Sequence, residues 1–132
     1  MKPTLLGCVL VALGSGAGGV CRYLLGSWIA QRTEQANGFP WGIFAVNVAG
    51  CFLLGFLSTY LGTRENAWSG WKLLLGIGFL GGFTTFSTLL WDTWRLGPRI
   101  GMLNLLASGM AGYIAVTLAV AAARAAFLPR DP

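Results

Sequence analysis

Gly76-Ile77-Gly78-Phe79-Leu80-Gly81-Gly82-Phe83-Thr84-Thr85-Phe86-Ser87-Thr88-Leu89 is the stretch that decides the fold. It lies inside an apolar run from about Trp71 to Trp94, long enough for an α-helix to cross a bilayer. Yet two adjacent glycines and two adjacent β-branched threonines sit near its middle, and all four are weak helix formers. In hydrocarbon every backbone amide must find a partner, so a break there is tolerable only where it is buried or faces an ion. Two readings stand at this point. One is a broken helix whose freed carbonyls suit a hard cation such as sodium, with hydroxyls from Ser87 and Thr88 and the ring of Phe86 just beyond. A phenylalanine edge carries partial positive charge and can stabilise an anion without a formal cation. The other is an unbroken packing face whose hydroxyls bond their own backbone.

Working outward, three more apolar stretches appear, at about Thr4 to Ala30, Pro40 to Leu61 and Ile100 to Leu128. The 132 residues are 55% hydrophobic and only 10% charged, against about 25% charge in a soluble domain. The reading is an all-α membrane protein, a single domain (1–132) of four transmembrane helices whose third is broken. Gln31–Gly38, a segment opening at Gly62 and Arg95–Arg99 are predicted as short polar connections. Trp28, Trp41, Trp68, Trp71, Trp91 and Trp94 fall near span ends, where an interfacial aromatic belt belongs. The first stretch reads as a span rather than a cleaved leader, because too little apolar segment precedes Cys8 in the lipoprotein-like Leu5-Leu6-Gly7-Cys8.

The net charge of +5 arises from basic residues scattered singly between apolar runs. That pattern points to span flanks and away from nucleic acid. With both termini and the middle loop on one side, Lys2, Arg64, Lys72, Arg124 and Arg130 oppose Arg32, Arg95 and Arg99. This weak bias is compatible with insertion in both orientations, which would let two copies pair antiparallel. Cys8, Cys21 and Cys51 lie in apolar runs and there is no histidine, so zinc or haem would have almost no ligands. Nothing resembles an activated nucleophile or a carboxylate pair, so no enzymatic activity is expected.

Gly14-Ser15-Gly16-Ala17-Gly18-Gly19 satisfies a dinucleotide fingerprint, with Glu34 twenty residues beyond Gly14. No alternation of strands and helices surrounds it, so small residues for close helix packing are the better reading. Arg22, in or near the end of the first span, serves either an anion-attracting vestibule or an interfacial anchor. Asn47 offers amide protons to an anion or a bond between helices.

Gly18–Tyr23 (GGVCRY), Val46–Gly50 (VNVAG) and Gly78–Thr88 (GFLGGFTTFST) together resemble the Fluc, or CrcB-type, fluoride channels, over nearly the whole chain. The resemblance implies a fluoride-selective channel for passive export from a bacterial cytoplasm across the inner membrane. It implies an antiparallel dual-topology dimer with two pathways and a structural sodium ion held by main-chain oxygens of Gly81 and Thr84 of each subunit. It further places Asn47, Phe86, Ser87, Thr88 and Ser108 along the fluoride pathway and Arg22 in a vestibule. Leu89 stands where the family has a second pore phenylalanine, and Asn104 where a tyrosine is expected. The first departure opens pairing with a different subunit beside a homodimer. Two other functions fit a four-span protein: a small multidrug or cation transporter, which would require an intramembrane carboxylate, and a non-conducting assembly subunit.

Overall fold

The structure is a computed structural model describing residues 4–63 and 69–127, and at 34–37 and 69 the backbone alone. Helix α1 runs Leu5–Asn37 and α2 runs Trp41–Gly62. Helix α3 (69–83) starts as α-helix at Ser69–Trp71, is wound as a π-helix over Lys72–Leu80, and ends in one α turn at Gly81–Phe83. After two extended residues, α4 runs Phe86–Arg95 and α5 runs Gly97–Phe127. Four stretches are long and apolar enough to cross a membrane: Leu5–Thr33, Trp41–Gly62, Lys72–Arg95 and Gly97–Phe127.

The helix boundaries differ from the sequence reading at two joints, one of them Arg95–Arg99, where only Leu96 separates α4 from α5. Gln31–Asn37, read as a connection, continues α1, and the chain turns only at Gly38, whose φ is +70°. Polar residues of good helix propensity extend a helix past the hydrocarbon, and hydropathy carries no signal of it. Gly97 has φ +76°, a left-handed value that favours glycine, and Pro98 follows in the first turn of α5. Trp28, Trp41, Trp71, Trp91 and Trp94 are exposed near the ends of the spans; Trp68 lies outside the described residues. The Arg32 guanidinium stacks 3.9 Å from the Trp28 ring and donates to its carbonyl, a charge parked at the interface.

The bundle packs α1 between α3 and α2, and α5 against α2 and α4. Side-chain area cannot drive this in lipid, so backbones approach through small residues. A Cβ on Gly14 would strike the Leu74 carbonyl, one on Gly18 the Phe79 carbonyl, and one on Gly82 the Ser15 carbonyl. Gly14 and Gly18 of the glycine-rich run are therefore a helix seam, in one continuous helix, whereas Gly16 and Gly19 meet nothing within 4 Å. On α5 the buried residues Gly101, Asn104, Ser108, Gly112, Ala115, Ala119 and Ala123 recur at helical spacing and form the face toward its neighbours.

Gly18→Val is expected to cost at least about 1–3 kcal/mol, because the obstacle is backbone that cannot step aside. Gly16→Ala, which meets nothing within 4 Å, should be neutral or stabilising by a few tenths to about 1 kcal/mol. Thermal aggregation midpoints of the purified protein in detergent would check the pair.

Candidate ion pathway

The third span is broken where the sequence suggested, but the threonines form the break and the glycines do not. Gly81 remains helical at φ −65°, ψ −37°. Thr84 (φ −85°, ψ 157°) and Thr85 (φ −151°, ψ 123°) are extended. Two side chains sustain the interruption. Asn47 on α2 faces Thr85 as a second peptide group would: its Nδ2 donates to the Thr85 carbonyl at 2.9 Å, and its Oδ1 accepts from the Thr85 N–H at 2.8 Å. Thr85 in turn caps α4, its Oγ1 accepting from the Thr88 N–H at 3.2 Å. The hydroxyls of Thr88 and Ser87 lie 3.1 and 3.2 Å from the same oxygen. Gly50, one turn along α2 from Asn47, leaves room for the Thr84 methyl, which an added Cβ would strike.

These bonds decide which carbonyls the break releases. An unbroken helix would close the Gly81 carbonyl with the Thr85 N–H and the Thr84 carbonyl with the Thr88 N–H. Asn47 takes the first amide and the Thr85 hydroxyl takes the second. Gly81 and Thr84 are thus two of the four residues whose oxygens lose their helical partners, the others being Gly82 and Phe83, which an unbroken helix would close with the Phe86 and Ser87 N–H groups. The Arg22 guanidinium donates to the Thr84 carbonyl at 3.3 Å, bringing a cation from α1 to the break. The Thr84 hydroxyl is occupied with the Leu80 carbonyl at 2.9 Å. Thr85 has no distinguishing mark in the sequence beyond being one of two threonines. Its spacing to Thr88, a capping residue followed three positions later by the amide it accepts from, is the signal that could have singled it out.

A cavity of about 390 Å³ opens beside the break. It brings Asn47, Phe86 and Ser108 together, with Thr84, Thr85, Leu89 and Tyr113 among its other lining residues. No lining residue carries a charged side chain. Arg22, Gly81, Ser87 and Thr88 are outside the lining: Arg22 reaches the break from α1, and Ser87 and Thr88 sit in the first turn of α4. Phe86 is 67% exposed at the mouth of the cavity, a large ring left uncovered by the single chain. Leu89, in the place of the expected second phenylalanine, is buried at the cavity wall. Behind Ser108, the Asn104 amide nitrogen donates to the Thr93 hydroxyl at 3.0 Å. Asp92, the only acidic residue within the four spans, is buried close to Arg95 and does not line the cavity.

Four membrane-crossing helices, one interrupted at mid-span beside an uncharged cavity lined by amide, hydroxyl and ring, define a multi-pass membrane protein that handles ions. The family profile described as "CrcB-like protein, Camphor Resistance (CrcB)" matches residues 9–126, and the chain belongs to that family. A protein of Solibacter usitatus named "Fluoride-specific ion channel FluC" is 43% identical over 120 residues, covering 88% of this chain and 97% of the relative. One of Symbiobacterium thermophilum, "Fluoride-specific ion channel FluC 1", is 43% identical over 122 residues, covering 86% and 94%. A Rhizobium etli protein, also "Fluoride-specific ion channel FluC", is 48% identical over 90 residues, covering 68% and 70%. With four apolar spans and bacterial relatives, the chain is a multi-pass protein of the bacterial inner membrane.

Proposed function

We propose that the protein is a fluoride-selective channel that lets fluoride leave the cytoplasm down its gradient; it is a channel and not an enzyme. The observation that carries this reading is the uncharged cavity beside the Thr84–Thr85 break, joined to relatives that bear the name of fluoride channels. Fluoride is small and holds its water tightly, so a path must replace that water with close donors. A lysine or arginine in the path would bind too firmly for release, whereas neutral amide and hydroxyl protons bind adequately and let go. Asn47, with one amide proton still free of Thr85, supplies such a donor at the wall, Ser108 adds a hydroxyl there, and Phe86 supplies a ring edge at the mouth. Ser87 and Thr88 continue the hydroxyl track along α4, and Arg22 adds a positive potential that draws anions toward the vestibule without entering the cavity lining.

The working unit is read as a dimer of antiparallel subunits, favoured by the weak charge bias and by the ring of Phe86 standing exposed. A homodimer is the simpler form; Leu89 in place of an aromatic leaves pairing with a different subunit as the second. A sodium ion fits the break chemically, since the released oxygens of Gly81 and Thr84 are hard, neutral ligands. Gly81 and Thr84 are two of the four carbonyls each protomer releases, and a carbonyl has lone pairs enough for both a guanidinium and a cation. When bound, sodium would supply fixed positive charge and tie the two breaks together. The cation-transporter alternative lacks its key group at the cavity, because Asp92 lies elsewhere.

The test is efflux of fluoride from proteoliposomes, read with a fluoride electrode and with chloride as control. Rapid fluoride release with chloride retained is expected; equal leakage of both, or none at full incorporation, would overturn the reading. Phe86→Ile should slow fluoride by about two- to twelvefold, the worth of an aromatic edge contact of ~0.5–1.5 kcal/mol. Unchanged flux in that variant would remove Phe86 from the pathway.

A further inference from the structure

Ser108 stands between two environments. One side lines the cavity; on the other its hydroxyl lies 3.5 Å from the Asn104 amide oxygen. Asn104 is fully buried, 0% exposed, and lies outside the cavity lining. Its amide nitrogen rests 3.0 Å from the Thr93 hydroxyl of α4. A primary amide shut away inside a membrane span is costly unless both of its ends are matched. Here the matches form a chain from Thr93 through Asn104 to Ser108, ending at the cavity.

The direction of that chain determines what the cavity wall offers. With the amide oxygen toward Ser108, the serine spends its only proton inward and shows lone pairs to the cavity, a surface that repels an anion. A half-turn of the amide exchanges oxygen and nitrogen with almost no change in shape. The amide nitrogen then donates to Ser108, the Thr93 hydroxyl donates to the amide oxygen, and the Ser108 proton is free for the cavity. Thr93 tolerates both arrangements, because a hydroxyl can accept or donate. The geometry points to Asn104 as a positioning residue that controls, through its amide orientation, whether Ser108 presents a proton or lone pairs to the anion. It rests on the reading of the cavity as an anion pathway, and it concerns the asparagine found where the family resemblance led to a tyrosine.

A double-mutant cycle on fluoride efflux tests it, using Asn104→Leu, Ser108→Ala and the pair. Leucine fills a comparable volume but cannot hand a proton to Ser108, whose hydroxyl would fall back on its own helix backbone. Asn104→Leu alone is expected to slow fluoride three- to tenfold, and to add less than a further twofold once Ser108 is alanine. Losses that multiply would show Asn104 acting independently of Ser108 and would overturn the proposal. A second measurement needs no change at Asn104: the side-chain ¹⁵N signal of Asn104 in bilayers, followed as fluoride is added. A saturable shift in wild type that vanishes in Ser108→Ala is expected; a signal indifferent to fluoride would overturn it, even should Asn104→Leu fail to fold. If wild type passes no fluoride, the channel reading itself fails; if it conducts but the losses multiply, only the role of Asn104 does.

Discussion

Asn47→Ala is expected to cut fluoride flux by about a hundredfold while leaving the four helices in the membrane. The asparagine satisfies both the N–H and the carbonyl of Thr85. Its removal strands two partly buried backbone groups at about 1–3 kcal/mol each, enough to drive Thr85 back into helical pairing with the Gly81 carbonyl. Each ~1.4 kcal/mol is a factor of ten, so the conducting arrangement should become a minor state. Asn47→Leu, of similar size, should behave like alanine, which separates lost hydrogen bonds from lost volume. Electrode-monitored efflux gives the rate, and amide exchange at Thr85 reports whether the break has closed. Near-wild-type flux in both variants would mean that Asn47 neither props the break nor serves the path.

Arg22 carries the second large effect, and two substitutions divide its roles. Arg22→Leu removes both the donor to the Thr84 carbonyl and the positive charge, and should slow fluoride by tenfold or more. A hydrogen bond from a charged group contributes about 1.5–3 kcal/mol, and local potential raises anion entry by about tenfold or more at low salt. Arg22→Gln keeps a donor without charge. Its flux should lie between the other two and lose most of its dependence on ionic strength, because screening acts on charge and spares a neutral bond. Flux in Arg22→Gln that falls with salt as steeply as in wild type would deny Arg22 the electrostatic role.

The spans were readable because hydropathy alone dictates them: each apolar stretch outlasts the bilayer and has no polar backbone solution other than helix. The break was readable in its neighbourhood but not in its parts. Gly81 and Gly82 look like the breakers by propensity, yet they stay helical, and Gly82 is small because Ser15 of α1 crosses there. Thr84 and Thr85 become extended because partners distant in sequence, Asn47 and Arg22, meet their backbone groups. Propensity within the span contains no information about those partners. The nine-residue π winding of Lys72–Leu80 left no local signature either; the segment packs on α1, where Gly14 meets the Leu74 carbonyl.

The same contrast holds at the site. Asn47 stood out as an amide inside hydrocarbon, but that it answers both ends of Thr85 is a matter of three-dimensional register. Phe86 and Ser108 were placed beside it through family resemblance, and the cavity brings all three together. Thr93 and Asn104 could not be paired from sequence, because their link crosses the tight turn at Gly97 from α4 to α5. Gly101 permits that crossing, since an added Cβ would strike the Thr93 carbonyl.

The most direct test is the backbone conformation of Thr84 and Thr85 in a lipid bilayer, read from their ¹³Cα, ¹³Cβ and carbonyl shifts by solid-state NMR with sodium present. Extended shifts at both threonines, flanked by helical values at Phe83 and Ser87, are expected. Helical shifts running unbroken from Gly78 to Leu90 would contradict the interrupted span, and with it the released oxygens and the neutral path beside them.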